Sequence, residues 1–527
     1  MANPNIPKKK TIYFLWMLSA ILVCGLSIVT SCSSDNDDNP VTDPDEPQQL
    51  ADYTIIYYGH GGGNLDFWLL QNIEQFYQSA TESRRNVSIC AQYKFSILKN
   101  MQEAYEDYKN EIDPNDPVHV AELEGIQSLY PYAEKTCRFA VGQEATPADM
   151  MAAMTGNFIG PDNADISRAD SLTNFINWAA QTCPARKYIL VLADHGDGYL
   201  PHEELPADDA AAARQTRVVM KDDGHDKKAF TAKTLSQALS QTSVRLSAVY
   251  CDACLMNSVE YHFELAPVSD YLVLSTFLVP SAGGNYTELV EALSANPDDL
   301  EQALKRFAKF CVSAWNNDPE NIYCDMSIYR TAGIDAFGAA LKTFTDCLID
   351  AYQNGGDEVR AKIDMVTANA YRVDNEQPEF DLMNYLFSLY FALPDVFGNA
   401  SITLAKVYSD YIVQQQNSKW LEENGHIVSL SVLLGCQGHY IFIKDGNKED
   451  NLYLYDADGK KYLLLDDDSA RMELGSWGST LDATYGQLRF DQITGWSRWL
   501  KLNQQEPNLE YVVEPYDAIL SGKNGRK

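Results

Sequence analysis

The order of apolar and polar segments from Tyr53 onward constrains the fold of this 527-residue chain more than any other feature. Short apolar segments of strand length recur at residues 53–58, 86–93, 188–193, 244–250 and 271–275. Segments between them carry apolar residues at helical spacing, for example Leu172, Phe175, Ile176 and Ala179. Because alternating strands and helices favour a parallel sheet covered on both faces, the sequence predicts an α/β fold, an αβα sandwich with a mostly parallel central sheet.

The length is compatible with roughly two to four domains, and changes in composition suggest where segments begin and end. After residue 296, residues such as Leu300, Leu304 and Phe307 recur at helical spacing, whereas Asp445-Gly446 and Asp458-Gly459 are typical hairpin turns. We therefore predict five segments: a signal peptide (1–31), an acidic flexible tether (32–50), the α/β core (51–296), a helix-rich extension (297–420) and a β-rich C-terminal region (421–527).

The N-terminus has the features of an export signal. Lys8 to Lys10 precede a nearly charge-free run from Thr11 to Ser31, which is long enough to enter a bilayer and could also be a permanent signal anchor. Val29-Thr30-Ser31-Cys32 resembles the lipobox of bacterial lipoproteins, which implies acylation of Cys32 and a lipid anchor in the bilayer. The acidic stretch after Cys32 resembles a surface-export signal of some Gram-negative lipoproteins. Together these features predict anchoring to the cell envelope, at the outer membrane, with exposure at the surface.

The charge of the chain excludes one class of partner. It contains 41 Lys and Arg against 74 Asp and Glu, a formal net charge of −33. A protein that binds nucleic acid needs a basic surface to displace counterions from the phosphates, so nucleic acid is not an expected partner. The acidic excess is instead suited to attracting basic ligands over long range.

Two predicted strands end in residues that could carry out nucleophilic chemistry. Asp194-His195-Gly196 follows one strand, and Cys251-Asp252-Ala253-Cys254 follows another. The carboxyl edge of a parallel sheet is where sites assemble, so His195 could act as the base for a Cys254 nucleophile. We expect a helix to start at Cys254 and its N-terminus to favour the thiolate. The backbone N–H groups of Gly196 and Cys254 could form an oxyanion hole.

The same residues allow other interpretations. Cys251 and Cys254 form a Cys-x-x-Cys pair between a strand and a helix, as in a thiol–disulfide oxidoreductase. A zinc site built from His195, His202, Cys251 and Cys254 lacks a second Cys-x-x-Cys or a His-x-x-x-His, and no metal site is predicted. The loop from Gly59 to Gly63 could suggest an esterase, but no Gly-x-Ser-x-Gly follows, and we expect His60 and Asn64 to border the substrate cleft.

The segments Tyr188–Gly198 and Ala248–Met256 resemble the clostripain family of cysteine peptidases, within the caspase–gingipain–legumain clan. This resemblance implies a caspase-like fold, a His195/Cys254 dyad and cleavage after Arg or Lys. It also implies that Asp252 binds the basic P1 side chain and that Ser275 contacts the substrate. Some members respond to calcium, but no residue identifies a calcium site, and no cofactor is expected. Asn257 departs from the glycine that is usual in the family, which bears on substrate specificity.

A polar stretch from Pro201 to Lys228 lies between His195 and Cys254. Family members are often activated by cleavage in this interval, which implies self-cleavage after Arg214 or Arg217, with an uncut surface loop as the alternative. The sequence therefore predicts a cysteine endopeptidase that forms an acyl-enzyme and cleaves protein or peptide substrates with a basic P1 residue. The alternatives are a non-enzymatic surface lipoprotein that binds proteins and an oxidoreductase that uses Cys251 and Cys254.

Overall fold

The computed structural model describes residues 50–503 apart from 197, 200–218, 226–227, 319–322, 372, 374–378, 424–427, 435–440, 443–451, 456–459, 464–470 and 474–484. The predicted signal peptide with Cys32, nearly all of the tether, His202, Arg214 and Arg217 lie outside the described residues. In the described part of the chain, no helix is long and apolar enough to cross a membrane.

The strands and helices alternate through most of the described chain. In chain order the strands are β1 Ala51–His60, β2 Val87–Lys94, β3 Thr136–Ala140, β4 Ala185–Ala193, β5 Val219–Asp222, β6 Lys228–Phe230, β7 Leu246–Asp252, β8 Ser269–Leu274, β9 Asp325–Arg330, β10 Glu379–Asp381, β11 Ile412–Asn417, β12 Ser431–Leu433, β13 Ile441–Phe442, β14 Leu452–Tyr455, β15 Lys460–Leu463 and β16 Arg471–Glu473. The α-helices are α1 Asp66–Gln78, α2 Thr81–Asn86, α3 Leu98–Glu111, α4 Pro117–Ser128, α5 Met150–Thr155, α6 Ala169–Thr182, α7 Ala232–Ser240, α8 Val259–Leu265, α9 Tyr286–Ala295, α10 Leu300–Trp315, α11 Ile334–Asn354, α12 Gly356–Ala368, α13 Leu382–Ala392, α14 Pro394–Tyr411, α15 Lys419–Glu423, α16 Arg489–Thr494 and α17 Trp496–Leu502.

The central sheet has eight strands in the order β11-β9-β8-β7-β4-β1-β2-β3. The five strands β2, β1, β4, β7 and β8 are mutually parallel, whereas β3, β9 and β11 pair antiparallel at the two edges. The predicted αβα fold with a mostly parallel sheet is therefore confirmed. Parallel strands require helical crossovers, which explains why buried apolar segments and amphipathic helices alternate along the sequence.

Helices cover both faces of the sheet and bury two separate apolar cores. One core takes Ile73 and Phe76 from α1 and Phe307 from α10, and the other takes Phe175 from α6 and Phe344 from α11. Side chains alternate between the faces along each strand. In β7, Tyr250 accordingly lies in one core and Cys251 in the other.

The C-terminal third is built onto the same sheet. Residues 297–420 contain helices α10 to α14, and they also contribute β9 and β11 to one edge of the sheet. In the region predicted to be β-rich, β13 to β16 form a four-stranded antiparallel sheet, and both Asp-Gly pairs lie outside the described residues. Two buried tryptophans, Trp496 and Trp499 of α17, belong to the same apolar core as Phe175 and Phe344, and α17 packs against α11.

Candidate active site

The register of two neighbouring strands places His195 beside Cys254. Ala193 of β4 pairs with Asp252 of β7, and the histidine and the cysteine each follow two residues later. Parallel neighbours are about 4.8 Å apart, so both residues leave the sheet at the same edge. Gly196 packs against the turn at Cys254, because a Cβ at Gly196 would lie 2.9 Å from Cys254 N and would clash with the Cys254 carbonyl oxygen.

The expectation that a helix starts at Cys254 is wrong. Cys254 and Leu255 form a turn, and Leu255 has a left-handed backbone with φ of 62°. The segment after β8 stabilises the turn, because Leu255 N donates to Phe277 O over 3.0 Å. Helix α8 starts only at Val259, with Ser258 as its N-cap. The helix N-terminus is therefore too far along the chain to favour the Cys254 thiolate as expected.

The backbone of Val279 supplies the polar contact to the sulfur. Val279 N donates to Cys254 Sγ over 3.3 Å, and Val279 O lies 3.7 Å from the same sulfur. Cys254 remains partly exposed. An N–H directed at sulfur stabilises negative charge on it. The contact with Val279 therefore favours the Cys254 thiolate, which is the effect that was expected of a helix N-terminus.

The imidazole of His195 lies between two loops. Its Nε2 lies 2.6 Å from Asn64 Oδ1, and its main-chain N–H donates to Asp194 Oδ1 over 2.7 Å. Gly62, with φ of 56°, lies against the ring, because a Cβ there would be 2.7 Å from His195 Cδ2. Asn64 is exposed and contacts His195, and its place at the border of the substrate cleft stays a prediction.

A buried group of charged side chains lies behind this loop. His60 is fully buried instead of bordering the cleft, because its Nδ1 donates to Lys94 O and its Nε2 lies 3.2 Å from Asp223 Oδ1. Lys94 Nζ donates to Asp222 Oδ1 over 2.6 Å, and both side chains are fully buried. Burial raises the pKa of Asp194 to about 7, against the lowering effect of the nearby His60. Sequence reasoning missed this group because its members are far apart in the chain.

The same carboxylates do not fit a calcium ion. His60, Asp222 and Asp223 lie close enough to share a metal, as do Asp165, Asp222 and His225. Calcium takes six to eight oxygen ligands, whereas each set offers two carboxylates and an imidazole. The Lys94 ammonium already neutralises Asp222, and Ile97 N and Asn100 Nδ2 donate to Asp223.

The direction in which the fold shifts the pKa of His60 predicts that stability depends on pH. Burial lowers its pKa, but the hydrogen bond to Asp223 and the charges of Asp194, Asp223 and Asp222 outweigh burial and raise the pKa from 6.5 to about 9. The protonated form is thus favoured in the fold, so its contribution is complete below pH 6.5 and is lost as pH rises through 9. We expect the difference in free energy of unfolding between wild type and His60→Gln to narrow by about 3 kcal/mol over this range.

Denaturant titrations at a series of pH values would measure this difference. The control is His262→Gln, because burial lowers the pKa of His262 to about 3 and its difference from wild type should therefore stay constant above pH 7. A constant difference between wild type and His60→Gln from pH 6 to pH 9.5 would contradict an ion pair at His60.

Asp252 is a buried carboxylate whose described hydrogen-bond partners are all neutral. It accepts from Tyr250 OH at 2.8 Å, from Gly284 N at 3.0 Å and from Tyr286 OH at 2.5 Å, and only 5% of the residue is exposed. Burial raises its pKa, against the opposing effect of these hydrogen bonds. A buried carboxylate that has no cationic partner is strongly stabilised in its ionised form when a cationic side chain binds to it.

The sequence also singled out Ser275 and Cys251, and both are buried. Ser275 is buried, and its hydroxyl donates to Asp325 O over 2.6 Å, so it supports the loop beside the cysteine turn. Cys251 is fully buried on the face of β7 opposite Tyr250, and burial raises its pKa to about 12. This position favours a packing role for Cys251 over a redox or zinc pair with Cys254.

A parallel sheet that brings a histidine and a partly exposed cysteine to the same edge is the arrangement of a cysteine peptidase, and comparison with known proteins supports this class. The profile of the Clostripain family matches residues 155–482, which is more than half of the chain. The chain belongs to the clostripain family of cysteine peptidases.

Solved structures share the fold at low sequence identity. A secreted C11 cysteine protease from Bacteroides thetaiotaomicron, iotapain, is 14% identical with a TM-score of 0.51, over 85% of this chain and 99% of that chain. The same coverage and identity hold for a secreted C11 protease of that organism in complex with an irreversible peptide inhibitor, with a TM-score of 0.50. An inactive zymogen C11 protease from Parabacteroides distasonis is 12% identical with a TM-score of 0.49, over the same shares of the two chains. No curated protein sequence matches the chain significantly.

Proposed function

We propose that this peptidase is an endopeptidase that cleaves after Arg or Lys, with Cys254 as nucleophile and His195 as base. The observation that carries the proposal is the register of β4 and β7, which brings both residues to one sheet edge. His195 takes the thiol proton, the sulfur attacks the scissile carbonyl, and the leaving amine receives that proton. Water then hydrolyses the acyl-enzyme. Contact between the backbones of Gly196 and Cys254 supports an oxyanion hole formed by their N–H groups.

The preference for a basic P1 residue rests on Asp252. This carboxylate lies two residues before the nucleophile and has only neutral described partners. A guanidinium or ammonium would give it a charge-assisted hydrogen bond, which is about twice as strong as a neutral one. The inhibitor-bound relative from Bacteroides thetaiotaomicron takes a peptide, which is consistent with peptide substrates here.

Turnover of fluorogenic peptides with Arg, Lys or a neutral residue at P1 tests this function and separates it from the alternatives. A peptidase requires Cys254 but not Cys251, so Cys251→Ala retains activity. An oxidoreductase requires both cysteines and reduces a disulfide substrate. A non-enzymatic binding module turns over none of the peptides, even after limited proteolysis.

We further propose that no cofactor is needed, so a chelator should leave turnover unchanged.

Self-cleavage between His195 and Cys254 is a second part of the proposal. Arg214 and Arg217 have the basic side chain that the enzyme is proposed to select, and they lie in a polar stretch of the sequence. We expect purified wild type to yield two fragments on a denaturing gel, whereas Cys254→Ala stays intact. Arg214→Gln combined with Arg217→Gln should also stay intact. An uncut wild type with full activity would contradict the proposal.

For location, we propose a lipid anchor on Cys32 in the bacterial cell envelope, at the outer membrane and exposed at the surface. The lipobox-like segment Val29–Cys32 and the acidic residues that follow support it. Metabolic labelling with a fatty acid should mark wild type and not Cys32→Ala. Protease treatment of intact cells then tests surface exposure. Absence of the label from both wild type and Cys32→Ala would favour the uncleaved signal anchor.

A further inference from the structure

The side chain of Asn64 contacts Nε2 of His195, which leaves the other ring nitrogen, Nδ1, available to the cysteine. We propose that Asn64 is a positioning residue that fixes the tautomer and orientation of His195. The inference rests on the proposed function, because it assumes that His195 is the base for Cys254. Asn64 is not placed on the substrate or on the reacting sulfur.

The hydrogen bond itself determines the tautomer. Asn64 presents its amide oxygen, Oδ1, 2.6 Å from His195 Nε2. A carbonyl oxygen can only accept, so Nε2 carries the proton and Nδ1 keeps a lone pair. Nδ1 is then the atom that takes the proton from the Cys254 thiol. In the resulting imidazolium both nitrogens carry protons, and the Nε2–H still donates to Asn64. When Nδ1 passes its proton to the leaving amine, the original tautomer returns.

The fold fixes the loop that carries Asn64. Leu65 N donates to Gly61 O over 2.8 Å, which closes a tight turn around Asn64, and Gly63 N donates to Ser96 Oγ over 2.8 Å. The turn therefore joins the end of β1 to the segment after β2. Gly62 allows the turn to lie on His195, because its backbone is left-handed and a Cβ would clash with the imidazole and with Asp194. The position of Asn64 is thus set independently of the cysteine loop.

A neutral amide suits this position. Asp194, directly before His195, already places a buried carboxyl group beside the ring. It accepts a hydrogen bond from the main-chain N–H of His195. A second carboxylate on Nε2 would stabilise the imidazolium strongly and make the proton harder to return to the leaving amine. An amide oxygen orients the ring and supports the imidazolium more weakly.

Two substitutions separate orientation from charge. For Asn64→Ala we expect kcat to fall by about 10- to 100-fold, with KM little changed, because the tautomer and orientation are lost. Because His195 must be unprotonated to act as the base, its pKa sets the acidic limb of the pH–rate profile, and we expect this limb to move to lower pH in Asn64→Ala. Asn64→Asp keeps the shape and an acceptor but adds a negative charge that stabilises the imidazolium, so its acidic limb should move to higher pH by about one to three units. The control is Asn174→Ala, an exposed residue of α6, which should behave as wild type.

The outcomes distinguish this inference from the proposed function. Wild-type kcat and unmoved pH limbs in both Asn64 variants, with an active wild type, would overturn the role of Asn64 alone. An inactive wild type, or a Cys254→Ala variant that is as active as wild type, would overturn the proposed function. If Asn64→Ala does not fold, the nearly isosteric Asn64→Asp decides the question by the direction in which its acidic limb moves.

Discussion

Replacing Cys254 with Ala is expected to lower kcat/KM for a peptide with a basic P1 residue by about 10⁴-fold or more. In the proposed mechanism the Cys254 sulfur bonds to the scissile carbonyl carbon, so no acyl-enzyme can form without it. His195→Ala is expected to cause a loss of similar size, since residues that act as a unit are not additive. Cys254 lies in a partly exposed turn, so the variant should stay folded.

Progress curves with fluorogenic peptides, together with thermal melting, would test this expectation. Cys347→Ala is a matched control because Cys347 is also partly buried, lies in α11 and contacts Val396 O, away from the sheet edge. It should keep full activity. A Cys254→Ala variant that retains more than about a hundredth of wild-type activity would show that another group is the nucleophile.

Replacing Asp252 with Asn is expected to change substrate selection more than any other single substitution. We expect kcat/KM for an Arg or Lys P1 substrate to fall by about 100-fold or more, because a buried charge pair loses one partner. Turnover of a neutral P1 substrate should change little. Burial raises the pKa of Asp252, so its ionised form costs stability as pH rises, and a neutral amide removes that cost. A loss of activity at neutral pH should therefore not reflect unfolding.

The ratio of kcat/KM for Arg and neutral P1 peptides is the measurement that isolates this effect. Asp298→Asn is the control, because Asp298 is an exposed acid that pairs with Arg186 before the amino end of α10. It should leave the ratio unchanged. An Asp252→Asn variant with the wild-type ratio would place the P1 determinant elsewhere and would leave Asp252 a structural role.

Part of the site could be predicted from sequence because its signals are local. The apolar run that becomes β4 and the run that becomes β7 each end at a polar residue, and this placed His195 and Cys254 at strand ends. The prediction of a helix at Cys254 was wrong because the turn there depends on a hydrogen bond to Phe277, which lies in the loop after β8. No local signal reports such a contact.

The sequence by itself determined the class of fold, the parallel strands and the two strand ends that carry His195 and Cys254, since periodicity and strand ends depend on near neighbours. Only the tertiary structure decided that His60 is buried against Asp223, that Asn64 meets His195, and that β9 and β11 complete the sheet. The physical reason is chain separation. Residues more than a hundred positions apart come together only when the strand order of the sheet is set.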